Sequence, residues 1–137
     1  MVCEMLKRCN LTHLRSRLLR ELSGGELQRS LIARAMAQQT PIMLLDEPLS
    51  NLDVSHRYEI MDILAGLNRQ GVMVVIIMHD FPIAIEYATH ALLVKDGVVL
   101  QHDVRDAVLT PENIRNCFNL GDGFEILANG HISKRRF

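Results

Sequence analysis

Asp46 and Glu47 stand side by side directly after the apolar run Ile42-Met43-Leu44-Leu45, and His79 directly follows a second apolar run, Val72 to Met78. A carboxylate pair at the C-terminal end of a buried strand is costly unless it faces a site, and in open α/β sheets ligands bind at that edge. One acid of such a pair suits a hydrated Mg2+ and the other suits water activation. His79 brings a titratable ring to the same edge. Upstream, Ser23-Gly24-Gly25-Glu26 forms an S-x-x-E capping box with two glycines inside it. Each glycine costs a helix up to about 1 kcal/mol relative to alanine, so helix stability alone does not select them. They leave bare amides and the positive dipole end open to an anion, and a phosphate fits. Simpler readings stand beside these: glycines for close backbone packing, acids solvated at a strand end or capping a turn, and a structural histidine.

The elements that must position these groups follow from periodicity. Residues 1–20 read as two short helices, broken at Asn10 and Thr12, with Met1 already inside a helical pattern. Ser23 caps a helix with a wide apolar face of Leu27, Leu31, Ile32, Ala35 and Met36, ending between Gln38 and Pro41. The run from Ile42 to Leu45 predicts a strand buried on both faces of a parallel sheet. Asp53 caps a helix from Val54 to Gln70, stopped by Gly71, and Val72 to Met78 predicts a second buried strand joined to the first by a parallel crossover. A short helix Phe81 to Ala88 follows, then a hairpin of Ala91 to Val94 and Val98 to Leu100 around Lys95-Asp96-Gly97, a short helix Val104 to Leu109, a helix opened by Thr110-Pro111-Glu112 and ending near Phe118, and a hairpin of Phe124 to Ala128 and His131 to Ser133 around Asn129-Gly130.

Composition narrows the class. The 137 residues are 48% hydrophobic and 23% charged, which predicts a globular domain, and a net charge of −1 gives no field for nucleic acid or an anionic membrane. The closing Lys134-Arg135-Arg136 is too short for a nucleic-acid site and reads as a solvated tail. Cys3, Cys9 and Cys117 are odd in number and form no C-x-x-C pair, so neither a disulfide framework nor a zinc site is indicated. No apolar run approaches the length of a membrane span, so a membrane link is expected to run through a partner.

Together, Leu22-Ser23-Gly24-Gly25-Glu26, Ile42 to Glu47, Ser50-Asn51-Leu52-Asp53 and His79 resemble, in order, the signature motif, Walker B with its following glutamate, the D-loop and the switch histidine of the ATP-binding subunits of ABC transporters. Glu26 stands where the commonest signature has glutamine. The resemblance implies an α/β fold, a partial P-loop NTPase with a parallel-sheet core, part of the helical subdomain (1–39), a Walker B to switch-histidine core (40–103) and a C-terminal extension with hairpins (104–137). It implies ATP and Mg2+ as cofactors. Asp46 would hold Mg2+ through water, Glu47 would polarise the attacking water and His79 would contact the γ-phosphate. Ser23, Gly24, Gly25 and Glu26 would close over a nucleotide bound by a second ATP-binding subunit, and Asp53 would couple the two sites.

The tracts Leu52 to His56, Met78 to Phe81 and Leu109 to Ile114 look most like importers of iron chelates, haem or cobalamin. That likeness implies permease subunits, a substrate-binding protein and a peripheral place on the inner face of the cell membrane. No G-x-x-x-x-G-K-[ST] occurs in the 137 residues. The chain therefore reads as a piece that begins within the helical subdomain and is inactive alone. A non-catalytic remnant or interaction module, and a soluble ABC ATPase outside transport, are the alternative readings. The sheet edge at Val72 to Met78 is expected to expose apolar surface and lower solubility.

Overall fold

The computed structural model describes residues 2–50 and 52–135, so the expectations for Met1, Asn51 and Arg136 lie outside the described residues. Its contacts divide the chain into two compact units, Met1–Met78 and His79–Phe137.

The first unit opens with helix α1 (Val2–Arg8), which ends where Asn10 turns left-handed at φ 54°. The second helix expected before residue 20 is replaced by two 3-10 turns, Thr12–Leu14 and Leu19–Glu21. The first of these turns is enough to bury Leu11 and Leu14, because residues three apart eclipse in 3-10 geometry. Helix α2 (Gly24–Met36) begins at the expected cap and stops a turn early, with Ala37 as its C-cap. Its buried face is Arg29, Ile32, Ala33 and Met36, whereas Leu31 is exposed. That face packs against α1 and the loop after it, where Cys9 Sγ lies 3.8 Å from Met36 Sδ.

Strand β1 (Ile42–Asp46) runs parallel to β2 (Met73–Ile77), in register from Ile42 with Met73 to Asp46 with Ile77. Helix α3 (Val54–Arg69) joins them, buries Ile60, Met61, Leu64 and Leu67, and packs on β2. The expectation of strands buried on both faces is not met. Met43 is buried, but Ile42, Leu44, Met73, Val75 and Ile77 share the opposite face by alternation and are exposed, Leu44 at 74%. An unbroken apolar run reports that both faces are oily; it does not report that both are covered. Gly71, at φ 90°, supplies the left-handed turn between α3 and β2.

The second unit contains α4 (Phe81–Tyr87), β3 (His90–Lys95), β4 (Val98–Val104), α5 (Arg105–Val108), α6 (Pro111–Phe118), β5 (Phe124–Ile126) and β6 (Ile132–Lys134). β3 and β4 form an antiparallel hairpin longer than periodicity indicated, closed by Asp96 and Gly97, both at positive φ as a type I′ turn requires. β5 and β6 form the second hairpin. One core gathers Leu93, Val108 and Cys117; another gathers Phe81, Ile114 and Ile126, with Leu120 and Ile132 against it. Among the described residues no helix is long and apolar enough to cross a membrane.

Candidate functional site

The capping box forms as its spacing predicts. The Ser23 amide donates to Glu26 Oε2 at 2.7 Å, and the Glu26 amide donates to Ser23 Oγ at 3.3 Å. The hydrogen bond from the Ser23 backbone, then the one from its side chain, hold the Glu26 carboxyl below its ordinary value. The box occupies the amides of Ser23 and Glu26 and does not use those of Gly24 and Gly25.

The two glycines differ in surroundings. A methyl built on Gly24 would meet nothing within 4 Å, so close packing inside the chain does not account for that glycine. A methyl on Gly25 would lie 3.2 Å from Leu52 Cδ2, so Gly25 is also a packing glycine, seated against the turn that follows Glu47. One helical turn beyond Gly25, Arg29 is 7% exposed, and its Nε and Nη1 find no acceptor among the described residues. Periodicity gave no sign of a buried arginine there.

Asp46 closes β1 and is exposed, as is Glu47. Glu47 takes a left-handed backbone at φ 44°, a conformation that costs a non-glycine residue about 1–3 kcal/mol and persists only where neighbours hold it. Three bonds do so. The Glu47 amide donates to the Ile77 carbonyl at 2.9 Å, and the Glu47 carbonyl accepts from the Ser50 amide at 3.1 Å and the Ser50 hydroxyl at 2.9 Å. The register of Asp46 with Ile77 brings the ends of both strands to one edge, where Asp46 and Glu47 sit.

The turn from Pro48 to Asp53 links this edge to α2 and α3. Pro48, Leu49 and Leu52 are buried, and Arg57 Nε donates to the Leu52 carbonyl at 3.0 Å. Asp53 caps α3: its carboxylate accepts from the His56 amide at 3.0 Å and from Ser55 Oγ at 3.0 Å, and it lies 2.7 Å from His56 Nδ1. These bonds, the His56 amide foremost, draw its carboxyl down to about 2. Ser55 and His56 stand in the tract Leu52 to His56, but nothing in their types announced bonds to Asp53, and Arg57 lies in no motif.

Within the first unit, Glu47 is tied to Ser50, Gly25 approaches Leu52 of the same turn, Ser23 pairs with Glu26, and Asp53 caps the helix that follows the turn. Gly24 and Asp46 are exposed. His79 is the first residue of the second unit and is exposed; the next residue, Asp80, caps α4 by accepting from the Ile83 amide at 3.2 Å.

Among the described residues no group of three or more acids, histidines or cysteines forms a metal cage. The donor set fits Mg2+ all the same, because that ion is commonly held by one or two carboxylates and completed by water and substrate phosphates. Asp46, exposed at the end of β1, would supply one such oxygen.

The ABC transporter family profile matches residues 2–50. Over 120 residues the chain is 35% identical to the ferric enterobactin transport ATP-binding protein of Escherichia coli (strain K12), covering 87% of this chain and 44% of that protein. Over 124 residues it is 39% identical to the hemin import ATP-binding protein of Gloeobacter violaceus, covering 85% and 45%. The chain spans about half the length of the curated relatives it matches. Among solved structures, an ABC transporter in an inward-facing conformation superposes with a TM-score of 0.81 at 29% identity, over 98% of this chain and 56% of the other. A bacterial ABC transporter cassette solved as a dimer superposes at 0.70 with 35% identity, over 75% and 45%. Profile, sequence relatives and fold agree with the order of the four motifs: the chain matches part of the ATP-binding protein of an ABC transporter.

Proposed function

We propose that these residues form half of an ATP-hydrolysing site in an importer for iron chelates, haem or cobalamin. The observation that carries this reading is Gly24, exposed at the start of α2 where a methyl would meet nothing within 4 Å, next to Gly25, which packs on the turn that follows Asp46 and Glu47. In it, the amides of Gly24 and Gly25, with Ser23 and Glu26, close on the phosphates of a nucleotide held by a second ATP-binding subunit. Asp46 holds Mg2+, which when bound neutralises phosphate charge. Glu47 accepts the proton of the attacking water, and its left-handed backbone, pinned by Ser50, sets the direction in which the carboxylate is presented. His79 donates to the γ-phosphate, and Asp53 ends the turn that ties Glu47 to Gly25.

The dimeric form of the related cassette supports a paired arrangement, and the functions in the relatives' names support uptake of iron chelates or haem. Permease subunits and a substrate-binding protein complete the assembly, which places this chain at the inner face of the cell membrane. In the assembled transporter, Gly24→Ala is expected to lower ATP hydrolysis at least tenfold with stability unharmed; full hydrolysis in that variant refutes the lid assignment.

A further inference from the structure

Helix α4 has seven residues, too few to persist on its own propensity, so what holds it must come from elsewhere in the second unit. Its first residue, Phe81, packs in one core with Ile114 of α6 and Ile126 of β5, and its ring meets that of Phe118 edge-on with centroids 5.1 Å apart. At the other end of the helix, Arg105 Nη1 donates to the Ile85 carbonyl at 2.6 Å. The turn between β5 and β6 also lies close against the helix. Gly130 sits at φ 80°, and a methyl built on it would lie 2.7 Å from Ile85 Cδ1, 2.9 Å from Phe81 Cβ and 3.0 Å from the Phe81 carbonyl carbon. The last two atoms belong to or adjoin the backbone, so they cannot swing aside as a side-chain tip can. Gly130 therefore abuts the peptide of residue 81, two positions after His79.

We propose that the β5–β6 hairpin, through Gly130, is a positioning element for His79. Asp80 fixes the start of α4 through the Ile83 amide and, at 2.9 Å, the Ala84 amide, so a shift of Phe81 is carried through a one-residue cap to the histidine. The functional consequence rests on the reading of His79 as a phosphate contact. Displacement of the hairpin, whether by substitution or by a protein seated on it, moves the histidine that hydrolysis needs.

The test uses NMR of the histidine rings in the 137-residue chain, with the His79 signal assigned by its loss in His79→Gln. Gly130→Ala is expected to displace the His79 ring signal by more than its line width and to speed amide exchange at Ile83 and Ala84, while His13 and His56 of the first unit stay in place. If Gly130→Ala unfolds the second unit, Ile85→Val serves instead: it removes the Cδ1 atom nearest Gly130 and adds nothing, and a smaller displacement of the same signal is expected. A His79 signal that holds still in a folded variant, while the neighbouring His131 moves, overturns the proposal. In the assembled transporter, Gly130→Ala is expected to lower kcat on the order of tenfold to a hundredfold, the scale for misplacement of a reacting group, with KM for ATP unchanged. Equal losses in kcat and in ATP affinity would count against positioning. A moved His79 signal combined with full hydrolysis by His79→Gln would leave the positioning intact and refute the phosphate role.

Discussion

Glu47 and Gly24 show how function separates from stability at single positions. Glu47 keeps a backbone conformation that most residues avoid, and three hydrogen bonds, two of them from Ser50, hold it there. Gly24 keeps a flexible residue where a methyl would fit without touching anything. Gly24→Ala is therefore predicted to raise the chain's unfolding free energy, by up to about 1 kcal/mol, in a denaturant titration, while lowering ATP hydrolysis in the assembled transporter. A destabilised variant would show that Gly24 is structural. Asp53 makes a prediction in pH. Its folded carboxyl is depressed from 3.8 to about 2, so its contribution is complete above pH 4 and is lost as pH falls through 2. Thermal melts of the native chain and Asp53→Ala should differ by a constant amount from neutral pH down to about 4, and the gap should narrow toward pH 2. A gap that stays unchanged to pH 2 would remove the ionised carboxylate from the account. Most of these residues were legible from sequence because type and spacing alone mark them. The burial of Arg29 and the particular approach of Leu52 to Gly25 were not, because both are set by tertiary contact.

At the scale of elements, local chemistry transferred well from sequence to structure. Ser23, Asp53 and Thr110 each cap the helix their spacing announced, since the cap, the amide it accepts from and the following turn lie within four residues. Ser23→Ala should cost about 1 kcal/mol of stability through loss of the α2 cap, read by urea denaturation; no change would mean the cap is replaced by solvent. What periodicity missed was decided at a distance. The leucines before residue 20 satisfied a 3-10 turn as well as a helix, and the apolar runs of β1 and β2 carried no information on which face a neighbour would cover. The hairpins came out longer or shorter than their turns implied, because β3 and β4 continue pairing to Val104 whereas β5 and β6 hold three residues each.

For the molecule as a whole, the exposed apolar faces dominate. Ile42, Leu44, Met73, Val75 and Ile77 form one in the first unit, and Leu92, Val94, Val98, Val99 and Leu100 remain exposed on the hairpin of the second. Surfaces of this kind mark contact with other polypeptide or a tendency to associate. The isolated 137-residue chain should bind a hydrophobic dye such as ANS and sediment as more than a monomer; a monodisperse monomer without dye binding would contradict that expectation. The relatives are about twice as long, and the proposed site is shared between subunits, so the measurement that bears most directly on the proposed function belongs to the assembled transporter. That measurement is its ATP hydrolysis with Glu47→Gln, which keeps size and shape and removes the carboxylate proposed as the base. The account predicts a fall of at least about 100-fold in turnover with Mg-ATP binding retained, and turnover equal to the native protein would contradict it.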